Sequence, residues 1–361
     1  MAESWRTPAR PWNDDPRATR LGEPAVPEAK HDEPSSDGRT EARGPAQAER
    51  RDRSGQPPGA RHPLHVELPK LTSDPDTASV VQLAVAAAVN TFLEHDEKAA
   101  GGSVRGVHQA RVGLRRFRSH LRTFRRVIDT EWASPLSAEA SWFAESLGAV
   151  RDLDVLHGRL VEGAMLQVPE SAPAIAELVE ILEGERSDAL EALREIRRTA
   201  RFDGLVGRLV EAAGSAPTRG KADEPAGFLM PVLLRRTWHD LRGAADSARR
   251  DPTVAHLHRV RICAKRMRYA SEAASEVLGA PAKRAARASE ELQERLGEWH
   301  DASAAQGWLE RSAGANPRLA EVAGRLAAME SDAAGIAANL WRTDYRKIKK
   351  GWKRVRSRYR V

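Results

Sequence analysis

His108, Arg111, Arg115, Arg118 and Arg122 recur three and four residues apart, a spacing that sets five cationic or protonatable groups along one side of an α-helix. At about 100° per residue they share an arc of about 80° over about 21 Å of helix axis. Arg116 stands at the flank of this stripe. No carboxylate follows until Asp129, so the stripe lacks the i+4 partners that would neutralise it. Forked guanidinium donors suit the oxygens of phosphate groups, and an imidazole adds a donor whose strength depends on pH. Val107, Ala110, Leu114, Phe117, Leu121 and Phe124 fill the neighbouring arc and read as the core face. The cations therefore border the buried face instead of opposing it, as solubilising charges would. Such a track repels itself unless an anion lies against it.

The pattern returns 150 residues later as His258, Arg261, Lys265, Arg266 and Arg268, with Leu257, Val260, Ala264, Met267 and Leu278 on the core side. It departs at the end: Glu272 stands where the first copy has Arg122, and either shortens the track or pairs with Arg268. A second element repeats with an offset of 149 residues, LGAVRDLDV from Leu147 and LGEWHDASA from Leu296. Asp152 and Asp301 within it read as orienting or neutralising nearby arginines, not as metal ligands. A third basic stripe runs through Arg342, Arg346, Lys349, Lys353, Arg356 and Arg360 beside Trp341, Tyr345, Ile348, Trp352, Val355 and Tyr359. Its regular aromatic face predicts a packed helix that adds Arg346, Lys349 and Lys353 to the same anion site. His108 and His258 admit two readings, neutral structural residues or donors to phosphate. Their recurrence at the head of both stripes favours the second.

The elements that position these residues are helical throughout. An internal repeat of this length fixes the architecture as two related bundles. Helices are expected from about Thr77 to Gly101, then at 104–128, 138–163, 171–198 and 201–213, with Ser103 capping the second. The stretch 214–225, GSAPTRGKADEP, reads as the linker between repeat one (77–213) and repeat two (226–361). Repeat two continues with helices at 228–249, 253–278, 281–311, 316–340 and 342–359. Residues 1–76 are dense in Pro, Gly and charge and poor in apolar runs, so they read as a disordered tail. The fold class is all-α: two pseudo-symmetric helical bundles behind that tail.

Composition narrows the partners. Fifty-eight Lys+Arg against 51 Asp+Glu give a net charge of +7, which favours polyanions. A single cysteine, Cys263, excludes an internal disulfide framework and a cysteine-based zinc cluster. No run reaches the ~20 apolar residues of a membrane span, and the N-terminus lacks the apolar core of a secretory signal. A cytoplasmic protein without membrane insertion is the expectation; the sequence sets no oligomeric state.

These residues resemble the CHAD family, the conserved-histidine α-helical domain. The resemblance rests on His108-Gln-Ala-Arg111 with Arg115-Arg116-Phe117-Arg118, on His258-Arg-Val-Arg261 with Lys265-Arg266-Met267-Arg268-Tyr269, and on Arg151-Asp152 and His300-Asp301 in order. It covers roughly residues 77–361 and implies two bundles related by a pseudo-twofold, with basic helices lining a central groove that binds inorganic polyphosphate. CHAD domains often follow a triphosphate-tunnel domain carrying E-x-E-x-K. Only HVELPK at 65–70 stands near such a motif here, so a standalone binding module is expected. The expected function is non-catalytic polyphosphate binding, with association to polyphosphate granules and no cofactor or metal. General polyanion or RNA and DNA binding is the alternative, with nucleic acid competing for the site. A phosphate-transferring or polyphosphate-hydrolysing enzyme is weaker, because no G-x-x-x-x-G-K-[ST] loop or carboxylate cluster for Mg²⁺ is present.

Overall fold

In the computed structural model, which describes residues 65–359, nine α-helices follow one another and no strand forms among the described residues. They are α1 (Thr77–Ala100), α2 (Val104–Thr123), α3 (Thr130–Ala164), α4 (Ala172–Arg197) and α5 (Ala200–Gly214) in repeat one. Repeat two holds α6 (Ala226–Arg250), α7 (Val254–Leu278), α8 (Ala280–Ala315) and α9 (Ala320–Tyr359). Residues 1–64, most of the expected tail, lie outside the described residues.

Side-chain caps start the helices that carry the site. Ser103 accepts from the Gly106 amide at 3.2 Å to start α2, and Thr253 accepts from the His256 amide at 3.3 Å to start α7. Asp129 accepts from the Glu131 amide at 2.8 Å, so α3 begins at Thr130 and runs through Pro135, earlier than the proline suggests. The expected helix over 104–128 ends instead at Thr123. The following residues pair with the linker: Asp129 donates to Pro217 and Arg219 to Val127, both at 2.9 Å. The expected break near residue 341 is absent. Trp341 lies on the buried face of α9 in register with Tyr345, Ile348, Trp352 and Val355, and the helix runs unbroken for 40 residues.

Within each repeat consecutive helices pack as neighbours, α1 on α2 on α3, and α6 on α7 on α8 on α9. Between repeats, α2 meets α7 and α3 meets α8. One hydrophobic core joins both repeats, from Val80 and Phe92 of α1 through Phe117 and Phe143 to Met267, Leu292 and Trp341. Cys263 is buried in it as a packing residue. A second, smaller core gathers Leu156, Leu160, Leu178, Leu182, Trp308, Leu309 and Leu326 from the far ends of α3, α4, α8 and α9. Helix α1 is long and apolar enough to cross a membrane by composition, yet it is a core helix with Val81, Val85 and Phe92 at 0% exposure.

Two features fix the stripe helices in place. Gly113 lets α2 lie directly on α1: a Cβ there would stand 2.5 Å from the Phe92 nitrogen and 2.9 Å from the Ala88 oxygen. The linker, in turn, is pinned. Gln82 donates to Ala212 and Ala213 and accepts from the Ala216 amide, while the Thr77 and Ala78 amides donate to Glu224 and Ala222. Residues 65–76 also engage the body, with Val66 and the Asn90 side chain exchanging two hydrogen bonds of 2.7 Å.

Candidate anion-binding site

On α2, His108, Arg111, Arg115, Arg116 and Arg118 are all half-buried along the edge of the core face, and Arg122 is exposed. On α7, His258, Arg261, Arg266 and Arg268 are half-buried and Lys265 is buried. This is the placement that the wheel geometry dictates, since a residue beside the apolar arc is partly covered by the neighbouring helix.

The two stripes act on common groups. Burial raises the carboxyl of Asp152 on α3, and the charges of Arg111, Arg261, Arg151 and Lys265 all oppose that rise. Burial is the largest of these effects, so the carboxyl stays above its ordinary value while four cations from both repeats pull against it. His300 on α8 is held down to about 3 by burial, then by Arg261, Lys265, His258 and Arg111. Its ring stands 6.2 Å from that of His258. His108 is held down to about 4 by burial, then by Arg151, Arg115 and Arg111. His300 and His108 are therefore neutral near pH 7, each with one N–H to donate. Arg111 is common to all three sets and acts across the repeat boundary on His300. Gly148 seats it: a Cβ there would come within 3.3 Å of the Arg111 Nε. Asp301 is raised by burial, with Arg261 acting against the rise.

Further along the α2–α7 crossing, Arg115 Nε donates to the Tyr269 hydroxyl at 3.0 Å. Arg116 meets Glu272 at 3.4 Å, and Arg268 is held by Glu272 at 2.7 Å and Glu290 at 2.6 Å. The buried Tyr269 ring has the Arg116 and Arg268 guanidiniums at 5.6 and 5.7 Å from its centroid. Arg266 is brought down to about 10, by burial first and then by the charge of Arg122.

The structure thus brings the candidate cations of α2 and α7 to one crossing, fed by α3 and α8. It does not place Arg346, Lys349 and Lys353 among the groups acting on Asp152 or His300. These three stand exposed on α9, whose aromatic face is buried with Trp238 stacked on Tyr345 and Trp352 at 5.9 Å. Arg346 donates to Thr343 at 3.0 Å. Arg151, His300, Gly148 and Tyr269 belong to the site although the stripe pattern alone does not select them. Arg151 and His300 occupy matching places in the second repeated element, a usable signal; nothing in the spacing marks Gly148 as the seat of an arginine.

A family model described as the CHAD domain matches residues 83–310. Among solved structures, PptA from Streptomyces chartreusis is similar at 22% identity and a TM-score of 0.61, covering 75% of this chain and 99% of its own. The CHAD domain from the plant Ricinus communis is similar at 23% identity and a TM-score of 0.59, covering 81% of this chain and 96% of its own. Comparison with curated proteins finds no match.

Proposed function

The chain belongs to the CHAD family, and from that membership we propose that it binds inorganic polyphosphate, without turnover, along the crossing of α2 and α7. The observation that carries this reading is the joint action of Arg111 and Arg151 from one repeat with Arg261 and Lys265 from the other on a single group, Asp152. Four cations within electrostatic reach of one carboxylate leave excess positive charge for a linear polyanion to neutralise. Guanidinium forks supply the donors for its phosphate oxygens. A longer chain reaches more of the stripe and gains from the added contacts, including Arg346, Lys349 and Lys353 where it extends that far. Cytoplasmic residence and association with polyphosphate granules follow as the setting of such a binder.

Recognition of phosphate spacing instead of bases fits the aromatic groups at the site. Tyr269 is 1% exposed and Trp299 5%, so neither offers a face on which a base could stack. The test is a titration of polyphosphate of defined length across a salt series, with single-stranded RNA of equal charge as competitor. Binding should weaken steeply with salt, resist RNA, and fall by about tenfold or more in Arg111→Ala/Arg261→Ala. Displacement by RNA at equal concentration would make the site a general polyanion surface.

A further inference from the structure

The basic stripe of α9 has a companion on α6. Phe228, Arg235, Arg242 and Arg249 stand seven residues apart on α6, and all four are exposed. Seven residues are two turns with a drift of about 20°, so the four side chains form one line along the helix. Arg342, Lys349 and Arg356 form a like line on α9, also exposed. The two lines border one seam. Trp238 of α6 stacks on Tyr345 and on Trp352 of α9, each at 5.9 Å, and the Arg249 guanidinium lies 5.1 Å from the Tyr345 centroid. Both the start of α6 and the end of α9 meet the end of α7, so the two helices are antiparallel. A Cβ on Gly227 would stand 3.9 Å from Val277, and the Tyr359 hydroxyl donates to the Leu278 carbonyl at 2.9 Å. This register sets Arg242 abreast of Lys349 and Arg235 abreast of Arg356.

The seam is short of negative charge. Residues 342–358 hold nine Lys or Arg and one carboxylate, Asp344, which is buried and bonded to Arg295 of α8 and to Lys347. On α6, Asp246 is shared by Arg242 at 3.7 Å and Arg249 at 3.3 Å. Repeat one has no such seam: α1, the counterpart of α6, carries Lys98 as its one Lys or Arg. The seam is therefore no part of the duplicated track at the α2–α7 crossing. Phe228 decides what kind of anion fits. Its ring is 68% exposed in line with the arginines, whereas Tyr269 and Trp299 at the crossing are buried. A bare phosphate chain gains nothing from such a ring; a nucleobase stacks on it, and on guanidinium planes beside it. Packed helices lie about 8–10 Å apart, so the two lines straddle a strip that one strand fills.

We propose that the α6–α9 seam is a second binding site, for single-stranded nucleic acid, with Arg235, Arg242, Lys349 and Arg356 on the sugar–phosphate backbone and Phe228 stacked on a base. The proposal goes beyond the polyphosphate reading and does not rest on it, since the two ligands occupy different faces and can be held together.

The full chain is titrated with a fluorescent oligouridine of about ten nucleotides, within the span such grooves cover. The titration is run across a salt series, with and without saturating short-chain polyphosphate. RNA is expected to bind equally well in both conditions. Arg235→Ala/Arg356→Ala should weaken RNA binding about tenfold or more and flatten the salt slope by about one to two, for two lost phosphate contacts. Phe228→Ala should weaken it about fivefold or more with the slope unchanged. Arg111→Ala/Arg261→Ala should leave the RNA affinity in place. The substituted seam side chains are exposed, and circular dichroism checks folding. Loss of RNA binding in Arg111→Ala/Arg261→Ala, or its displacement by short-chain polyphosphate, would overturn the proposal. Wild-type affinity in Phe228→Ala beside a weakened arginine pair also overturns it, because the seam would then respond to charge alone. Tighter capture by phosphatidylglycerol vesicles than by RNA, lost in Phe228→Ala, would assign the seam to a membrane surface instead. A chain that binds no polyphosphate yet holds RNA through Phe228 and Arg235 loses the function proposed above and keeps the seam.

Discussion

Neutral imidazoles among arginines make this protein sensitive to mild acid. His108 and His300 titrate near 4 and 3 in the folded chain against about 6.5 unfolded, and His120, wholly buried beside Arg116, near 3. Between those limits the unfolded chain binds protons that the folded one refuses, so stability rises with pH there and is lost as pH falls below about 6.5 toward 4. Asp152 and Asp301, whose carboxyls are raised from 3.8 by burial, act in the opposite sense. Urea midpoints of the unliganded protein should therefore drop steadily from pH 7 to pH 5; an unchanged midpoint would mean that these histidines are not held neutral. A bound polyanion supplies the charge that favours imidazolium, so polyphosphate should shrink the drop.

Helix α2 is placed by contact with α1, and the test is a glycine. Adding a methyl at Gly113 drives it into the backbone of α1 at Ala88 and Phe92, so Gly113→Ala should cost about 1–3 kcal/mol despite the better helix propensity of alanine. Gly207→Ala on α5, where a Cβ would meet nothing within 4 Å, should instead gain about 0.5–1 kcal/mol. Chemical unfolding of both variants gives the comparison. At this scale the sequence was readable where the determinants are local. Ser103 and the 3.6-residue period of 104–124 announce α2, and the repeat of that pattern announces α7. The end of α2 at Thr123 was not readable, because it depends on pairing with Pro217 and Arg219, some 90 residues away in sequence. The same holds at the site. Spacing selects the cations one helix at a time, but the meeting of Arg116 with Glu272, or of Arg111 with His300, needs two helices brought together by tertiary packing. The continuity of α9 through Trp341 was open to the eye, since no glycine or proline stands between Gly335 and Gly351.

The whole body has one large core shared by both repeats and a small one at the far ends of four helices. The shared core ties the repeats into one cooperative unit, so tryptophan fluorescence and far-ultraviolet circular dichroism should report coincident unfolding. The smaller core, around Leu178, Trp308 and Leu326, should open first: hydrogen exchange in the 160–180 and 308–328 segments should be faster than at Phe117 or Met267. Two separated optical transitions would show that each repeat folds alone.

Arg122 on α2 and its repeat mate Glu272 on α7 are unlike residues at equivalent places, which bears on why this chain carries its repeat in one polypeptide. A homodimer of a single-repeat ancestor, related by a true twofold, would show the same residue at both places, arginine twice or glutamate twice. Duplication and fusion release that constraint, and one copy can then keep Arg122 while the other acquires Glu272. Covalent joining is what permits a symmetric scaffold to have a front and a back.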